Sequence, residues 1–174
     1  SDIGGFLGGD GSDPAFRELL IRWFQWSCFC PVFRMHGERD PWIEPTTEVL
    51  HGVQRPSSGQ PNEVWSFGEQ VEGILTPFLF VRERLRSYIR RVMQEAHETG
   101  APVMRPLMFD FPQDKEALNV EDCYMFGPDL LVAPVLEAGA TTRRIYLPAG
   151  CRWTDAYTKE TYEGGQYVTV PAPL

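Results

Sequence analysis

The chain has 174 residues, 43% of them hydrophobic, enough for one domain or for a small domain joined to part of another. Its net charge of −8 argues against a nucleic-acid or anionic-membrane partner, since both need a basic face, and a neutral or cationic small ligand fits better. No run of about 18 apolar residues is present, so the sequence predicts no membrane-spanning helix.

The chain opens on a glycine-rich stretch, Ser1 to Pro14, in which Asp2 and Phe6 flank Gly4 and Gly5, with Gly8, Gly9 and Gly11 following. Glycine admits positive φ and lets another molecule approach the backbone closely. A carboxylate and an aromatic beside such a turn suit a sugar, because one accepts hydroxyl hydrogen bonds and the other covers an apolar ring face. The alternative is a tight connection into the next helix with no ligand. No initiator Met is present and the first residues read as a loop, so the native N-terminus is expected upstream.

Asp13 as N-cap and Pro14 at the first helical position predict a helix that ends near Phe29, ahead of Pro31. Phe16, Leu19, Leu20, Trp23, Phe24 and Ser27 form its expected buried face. Val32 to His36 reads as a short strand with Val32, Arg34 and His36 on one side and Phe33 and Met35 under a helix. Residues 37–63, rich in Pro, Gly, Ser and charge, read as a long irregular loop carrying Trp42. Helix is expected from Glu63 to Thr76, broken by Pro77. A second helix then runs to Thr99, with a stripe of Phe78, Val81, Leu85, Tyr88, Ile89, Val92 and Ala96, and stops at Gly100.

After Gly100 the pattern turns to short strands: 103–109, 123–126, 130–134, 143–147, 153–157 and 166–170. Such spacing predicts an antiparallel sheet or sandwich, with a boundary near residue 101. Asp110, Asp114, Glu121 and Asp122 lack the calcium-loop pattern and read as a solvated edge. The four cysteines, Cys28, Cys30, Cys123 and Cys151, form neither paired CxxC motifs nor an easy disulfide framework. Buried free thiols in an intracellular, cytoplasmic protein are the expectation, with no metal bound.

Nucleophile–base chemistry is poorly supported. There is no G-x-S-x-G elbow and no H-E-x-x-H pair, and the glycines from Gly8 to Ser12 lack the lysine of a phosphate-binding loop. The dinucleotide fingerprint spacing is also missing. His97 reads as a solvent-facing helix residue.

Three blocks together resemble glycoside hydrolase family 31, which holds α-glucosidases and α-xylosidases. They are Asp2-Ile3-Gly4-Gly5-Phe6, Arg34-Met35-His36-Gly37, and, after Pro112, the run Asp122-Cys123-Tyr124-Met125-Phe126-Gly127-Pro128 continuing to Val135. The similarity covers nearly the whole chain, in the family's order. It implies an α/β portion followed by an all-β one. Residues 1–100 would be the last strands and helices of a (β/α)8 TIM barrel, and residues 101–174 the start of an antiparallel β-sandwich domain.

That family cleaves with retention, using an aspartate nucleophile and an aspartate acid/base about 5 Å apart. Neither the W-x-D-M-N-E-like motif of its nucleophile nor the later W-x-G-D-like motif of its acid/base occurs here: Gly9-Asp10 lacks the preceding Trp and follows the Asp2 block. No catalytic residue is therefore expected in this chain. The resemblance instead implies substrate-binding roles for Asp2, Phe6, Arg34 and His36, with an oligosaccharide or α-glycoside as ligand and no metal or organic cofactor. Arg34 can alternatively serve as an ion-pair partner of Asp2, His36 as a core histidine, and Trp42 as loop packing or a sugar platform. The competing reading of the whole is a non-catalytic carbohydrate-binding or structural module. Unfilled helix stripes lead to a further expectation: self-association, or binding to the rest of a parent barrel.

Overall fold

The computed structural model describes residues 2–43, 49–50, 53–54 and 58–174. They form mixed helices and antiparallel sheets in two compact units, one ending at Leu85 and the other spanning Arg86–Pro173.

The first unit is built on α1 (Pro14–Ser27). The helix starts where the sequence dictates, because the Asp13 carboxylate accepts from the Ala15 N–H at 3.0 Å and Pro14 sits in the first turn. It stops at Ser27, short of Phe29. Its last carbonyls are satisfied by tight bonds from the Phe29 and Cys30 N–H groups to Trp26 and Ser27. The buried face is Phe16, Leu20, Ile21, Phe24 and Ser27; Leu19, expected inside, is 51% exposed. Ile3, Phe67, Val71 and Leu75 complete this core, with Phe33 and Met35 packed on it.

Residues 32–36 carry no sheet ladder, contrary to the expected strand. The alternation survives nonetheless: Val32, Arg34 and His36 are exposed while Phe33 and Met35 are half-buried. Facing a core on one side imposes the period of two even without strand neighbours. The loop expected over 37–63 contains β1 (Arg39–Ile43), β2 (Val49–Leu50), β3 (Val53–Gln54) and β4 (Ser58–Gln60). β1 pairs antiparallel with β4, and β2 with β3. Pro41 inside β1 hides this ladder from a sequence reading, yet proline is tolerated at a sheet edge. Residues 44–48, 51–52 and 55–57 of that expected loop lie outside the described residues.

A 3₁₀ turn at Val64–Phe67 precedes α2 (Glu69–Arg84), which runs straight through Pro77. The expected break falls at Leu85 instead. Proline there removes one helical bond, to the Gly73 carbonyl, while Leu75 and Phe78 on either side of it are held in the same core. Arg82 of α2 donates to the carbonyls of Cys28, Cys30 and Pro31 at 2.8, 2.6 and 2.9 Å, fastening the end of α1.

The second unit opens with α3 (Arg86–Thr99). α3 belongs here because the Tyr88 hydroxyl donates to the Phe126 carbonyl at 2.6 Å. β5 (Met104–Pro106) is shorter than the strand expected over 103–109. After Pro106 the chain turns into α4 (Leu107–Asp110), which brings Asp110 back to the buried Arg105 guanidinium at 3.0 Å. β5, β6 (Tyr124–Phe126) and β7 (Leu130–Val132) form a three-stranded meander, with Arg105 opposite Met125 and Met125 opposite Leu131. β8 (Thr142–Leu147) pairs with β11 (Gln166–Pro171), and β9 (Arg152–Thr154) with β10 (Thr161–Glu163), which the sequence reading missed.

Leu107, Ala117, Cys123, Met125 and Tyr146 are the core of this unit, with Phe111 and Trp153 against it. The acidic residues are not a mere solvated edge. Asp114 accepts from the Tyr146 hydroxyl at 2.8 Å and from the N–H groups of Ala149 and Glu116 at 2.8 and 3.0 Å. Asp122 pairs with Arg143 at 2.7 Å. Cys28, Cys30 and Cys123 are buried free thiols as expected, but Cys151 is exposed.

Candidate functional site

In the first unit the glycine-rich stretch lies alongside residues 34–40 in parallel. The Ile3 N–H donates to the Arg34 carbonyl at 3.1 Å, the Glu38 N–H to Phe6 at 2.9 Å, and the Asp40 N–H to Gly9 at 3.2 Å. The approach is close enough to require glycine at position 37. There φ is +138°, and a Cβ would come within 2.6 Å of the Gly5 and Phe6 carbonyl oxygens.

This pairing brings all four expected site residues together. Arg34 Nη2 donates to Asp2 Oδ1 at 2.7 Å, with the two side chains 56% and 34% exposed. That hydrogen bond holds the Asp2 carboxyl below its ordinary value, and the charges of Arg34 and His36 add to the effect. The His36 ring stands 5.4 Å from the ring of Phe6, tilted by 39°, and Phe6 is 54% exposed. Asp2 itself sits at φ +32°, a conformation L-residues seldom adopt.

An ionised carboxylate accepts hydrogen bonds only, a guanidinium and an imidazole supply donors beside it, and the Phe6 ring offers apolar cover. Trp42 is half-exposed on β1. Among the described residues, no group of three or more His, Cys, Asp or Glu side chains is placed to hold a metal. A cleft of about 660 Å³ is lined by Asp10, Arg17, Asp40, Gln60 and Trp65, among others. It contains none of the four residues, so the candidate site is an open face and not that cleft.

Sequence reasoning missed Arg39. It is 1% exposed and lies beneath the site. Its guanidinium donates to the carbonyls of Gly8, Gly5 and Ile3 at 2.7, 2.8 and 3.1 Å, and to Asn62 Oδ1 at 3.0 Å. The only available signal was the glycine run, since a turn that directs carbonyls inward needs a buried multiple donor.

Residues 1–91 match the family model of the glycosyl hydrolases family 31 TIM-barrel domain, and residues 100–174 that of the glycosyl hydrolase family 31 C-terminal domain. The chain is 32% identical over 174 residues to an alpha-xylosidase of Saccharolobus solfataricus, covering all of this chain and 21% of that protein. It is 36% identical to alpha-glucosidase 2 of Bacillus thermoamyloliquefaciens, covering 99% of this chain and 19% of that one. Among solved structures, a GH31 alpha-xylosidase from a soil metagenome, complexed with xylose, is similar at 57% identity and a TM-score of 0.92. That match covers 99% of this chain and 25% of the other. The chain thus spans about a fifth to a quarter of the length of these relatives.

Proposed function

Because this chain belongs to glycosyl hydrolase family 31, we propose that it supplies one sugar-binding wall, and neither catalytic aspartate, of a retaining α-glycosidase. The substrate is a terminal α-linked xylose or glucose on an oligosaccharide. Xylose is favoured by the 57% identity to an alpha-xylosidase solved with that sugar. In this reading residues 1–100 end a (β/α)8 barrel and residues 101–174 begin a β-sandwich domain.

The observation that carries the reading is the convergence of Asp2, Phe6, Arg34 and His36 on one exposed face. An ionised Asp2 and the His36 imidazole bond sugar hydroxyls, Arg34 fixes the carboxylate, and Phe6 covers an apolar face of the ring. Bond cleavage needs a nucleophile and an acid/base, for which the retaining mechanism uses two carboxylates about 5 Å apart. Both come from the rest of the parent chain.

The test compares the isolated chain with the full-length enzyme that carries it. On p-nitrophenyl α-xyloside and α-glucoside, the full-length enzyme is expected to turn over with retention, and the isolated chain to match the buffer blank. Turnover by the isolated chain that survives repurification would overturn the division of roles.

A further inference from the structure

We propose that Arg39 is a positioning residue for sugar recognition: its buried guanidinium fixes the glycine-rich turn so that Asp2 and Phe6 face Arg34 and His36. The proposal rests on the reading that these four residues contact the sugar.

A turn containing Gly4, Gly5, Gly8 and Gly9 has more backbone freedom to lose on folding than the same turn built with alanines. A recognition surface built on it needs an external restraint, because orientation within a fraction of an ångström governs productive binding. Arg39 provides one. Nη2 bonds the carbonyls of Ile3 and Gly5, the residues adjoining Asp2 and Phe6, at 3.1 and 2.8 Å. Nη1 bonds Gly8 beyond them at 2.7 Å. The backbone on either side of Arg39 grips the same turn, through Glu38 to Phe6 and Asp40 to Gly9.

Nε reaches Asn62, whose amide nitrogen in turn lies 3.5 Å from the Gly37 carbonyl, next to His36. One side chain therefore ties the Asp2–Phe6 half of the face to the Arg34–His36 half. The Phe16 ring lies 5.3 Å from the guanidinium carbon. A Cβ at Gly4 would stand 3.1 Å from Nη2 and 2.7 Å from Leu20 Cδ1, so the turn closes on the arginine without room to spare. Separate carbonyls bonded by one planar group demand the guanidinium fork; a lysine offers its donors from a single point.

The experiment uses the full-length enzyme with Arg39→Met, Arg39→Lys and His36→Ala. The readouts are kcat and KM on p-nitrophenyl α-xyloside and the inhibition constant of xylose. Arg39→Met is expected to lower kcat/KM about 100-fold, with KM and the xylose constant rising together. Arg39→Lys is expected to recover little of this. Partial unfolding alone would lower kcat in proportion to the folded fraction and leave KM and the xylose constant in place, which would overturn the proposal. Full recovery by lysine would also overturn it, since charge and not the fork would then be what matters. If Arg39→Met fails to fold, Arg39→Lys decides by the same constants. Unchanged constants in both Arg39 variants alongside a defect in His36→Ala would refute the role of Arg39 alone. Unchanged constants in His36→Ala as well would refute the site itself.

Discussion

Arg34 and Asp2 are joined by a 2.7 Å charge-assisted hydrogen bond although 32 positions separate them in the chain. This bond holds the Asp2 carboxyl below its ordinary value. A depressed folded value means that the pairing is intact above the ordinary carboxylate range and is lost as pH falls through the folded value. Arg34→Met should therefore move the Asp2 midpoint up toward the ordinary carboxylate value, read by carbon NMR of the labelled carboxyl. An unchanged midpoint would show that the pair seen here does not control Asp2.

His36 is exposed and its ring lies tilted beside that of Phe6, so its removal should spare the fold and strike binding. In the full-length enzyme, His36→Ala is expected to cost about 2 kcal/mol of transition-state stabilisation, because a hydroxyl bond that strengthens in the transition state is lost. Stability should move by no more than about 0.5 kcal/mol, as for other surface substitutions. Normal kcat/KM with a much lower Tm would assign the residue to structure.

In the second unit, burial and then the hydrogen bond to Asp114 push the Tyr146 hydroxyl up to about 12. Burial, with the Asp122 charge adding to it, pushes the Cys123 thiol up to about 12 as well. For a group whose folded value is raised, the stabilisation is complete below the unfolded value and disappears as pH rises to the folded one. Unfolded tyrosine and cysteine ionise near about 10 and 8.5, so urea midpoints should fall between those values and about 12. Tyr146→Phe should flatten the upper part of that decline and Cys123→Ala the lower part. Identical pH profiles for variants and wild type would contradict this.

Local chemistry was legible in the sequence. Asp13 and Pro14 set the start of α1, and alternation at 32–36 set which side chains face the core, because each depends on neighbours a few residues away. Long-range packing was not. Pro77 stays helical because Leu75 and Phe78 are anchored in the same core, and β1 forms despite Pro41 because β4 pairs with it. Nothing near Asp114 announces that Tyr146 and Ala149 will bond it. The four site residues stood out by resemblance, while Arg39 did not, since its partners are backbone carbonyls that carry no side-chain signature.

Leu7, Leu19, Val32 and Phe80 are 67, 51, 58 and 63% exposed in the first unit. Burying each such side chain is worth about 1.5 to 3 kcal/mol, which favours a partner surface. The isolated chain is predicted to self-associate or to bind the remainder of its parent. Sedimentation velocity at several concentrations measures this. A single 19.8 kDa species with a cooperative melt and no binding of a hydrophobic dye would contradict it.

The most direct measurement is a crystal structure of the full-length enzyme with xylose bound. The expected result places sugar hydroxyls within about 2.6–3.2 Å of the Asp2 carboxylate and the His36 imidazole, with the Phe6 ring against the sugar and the Arg34–Asp2 bond intact. A sugar seated in the catalytic pocket with both Asp2 and His36 beyond hydrogen-bonding reach would contradict the assignment of this face to substrate recognition.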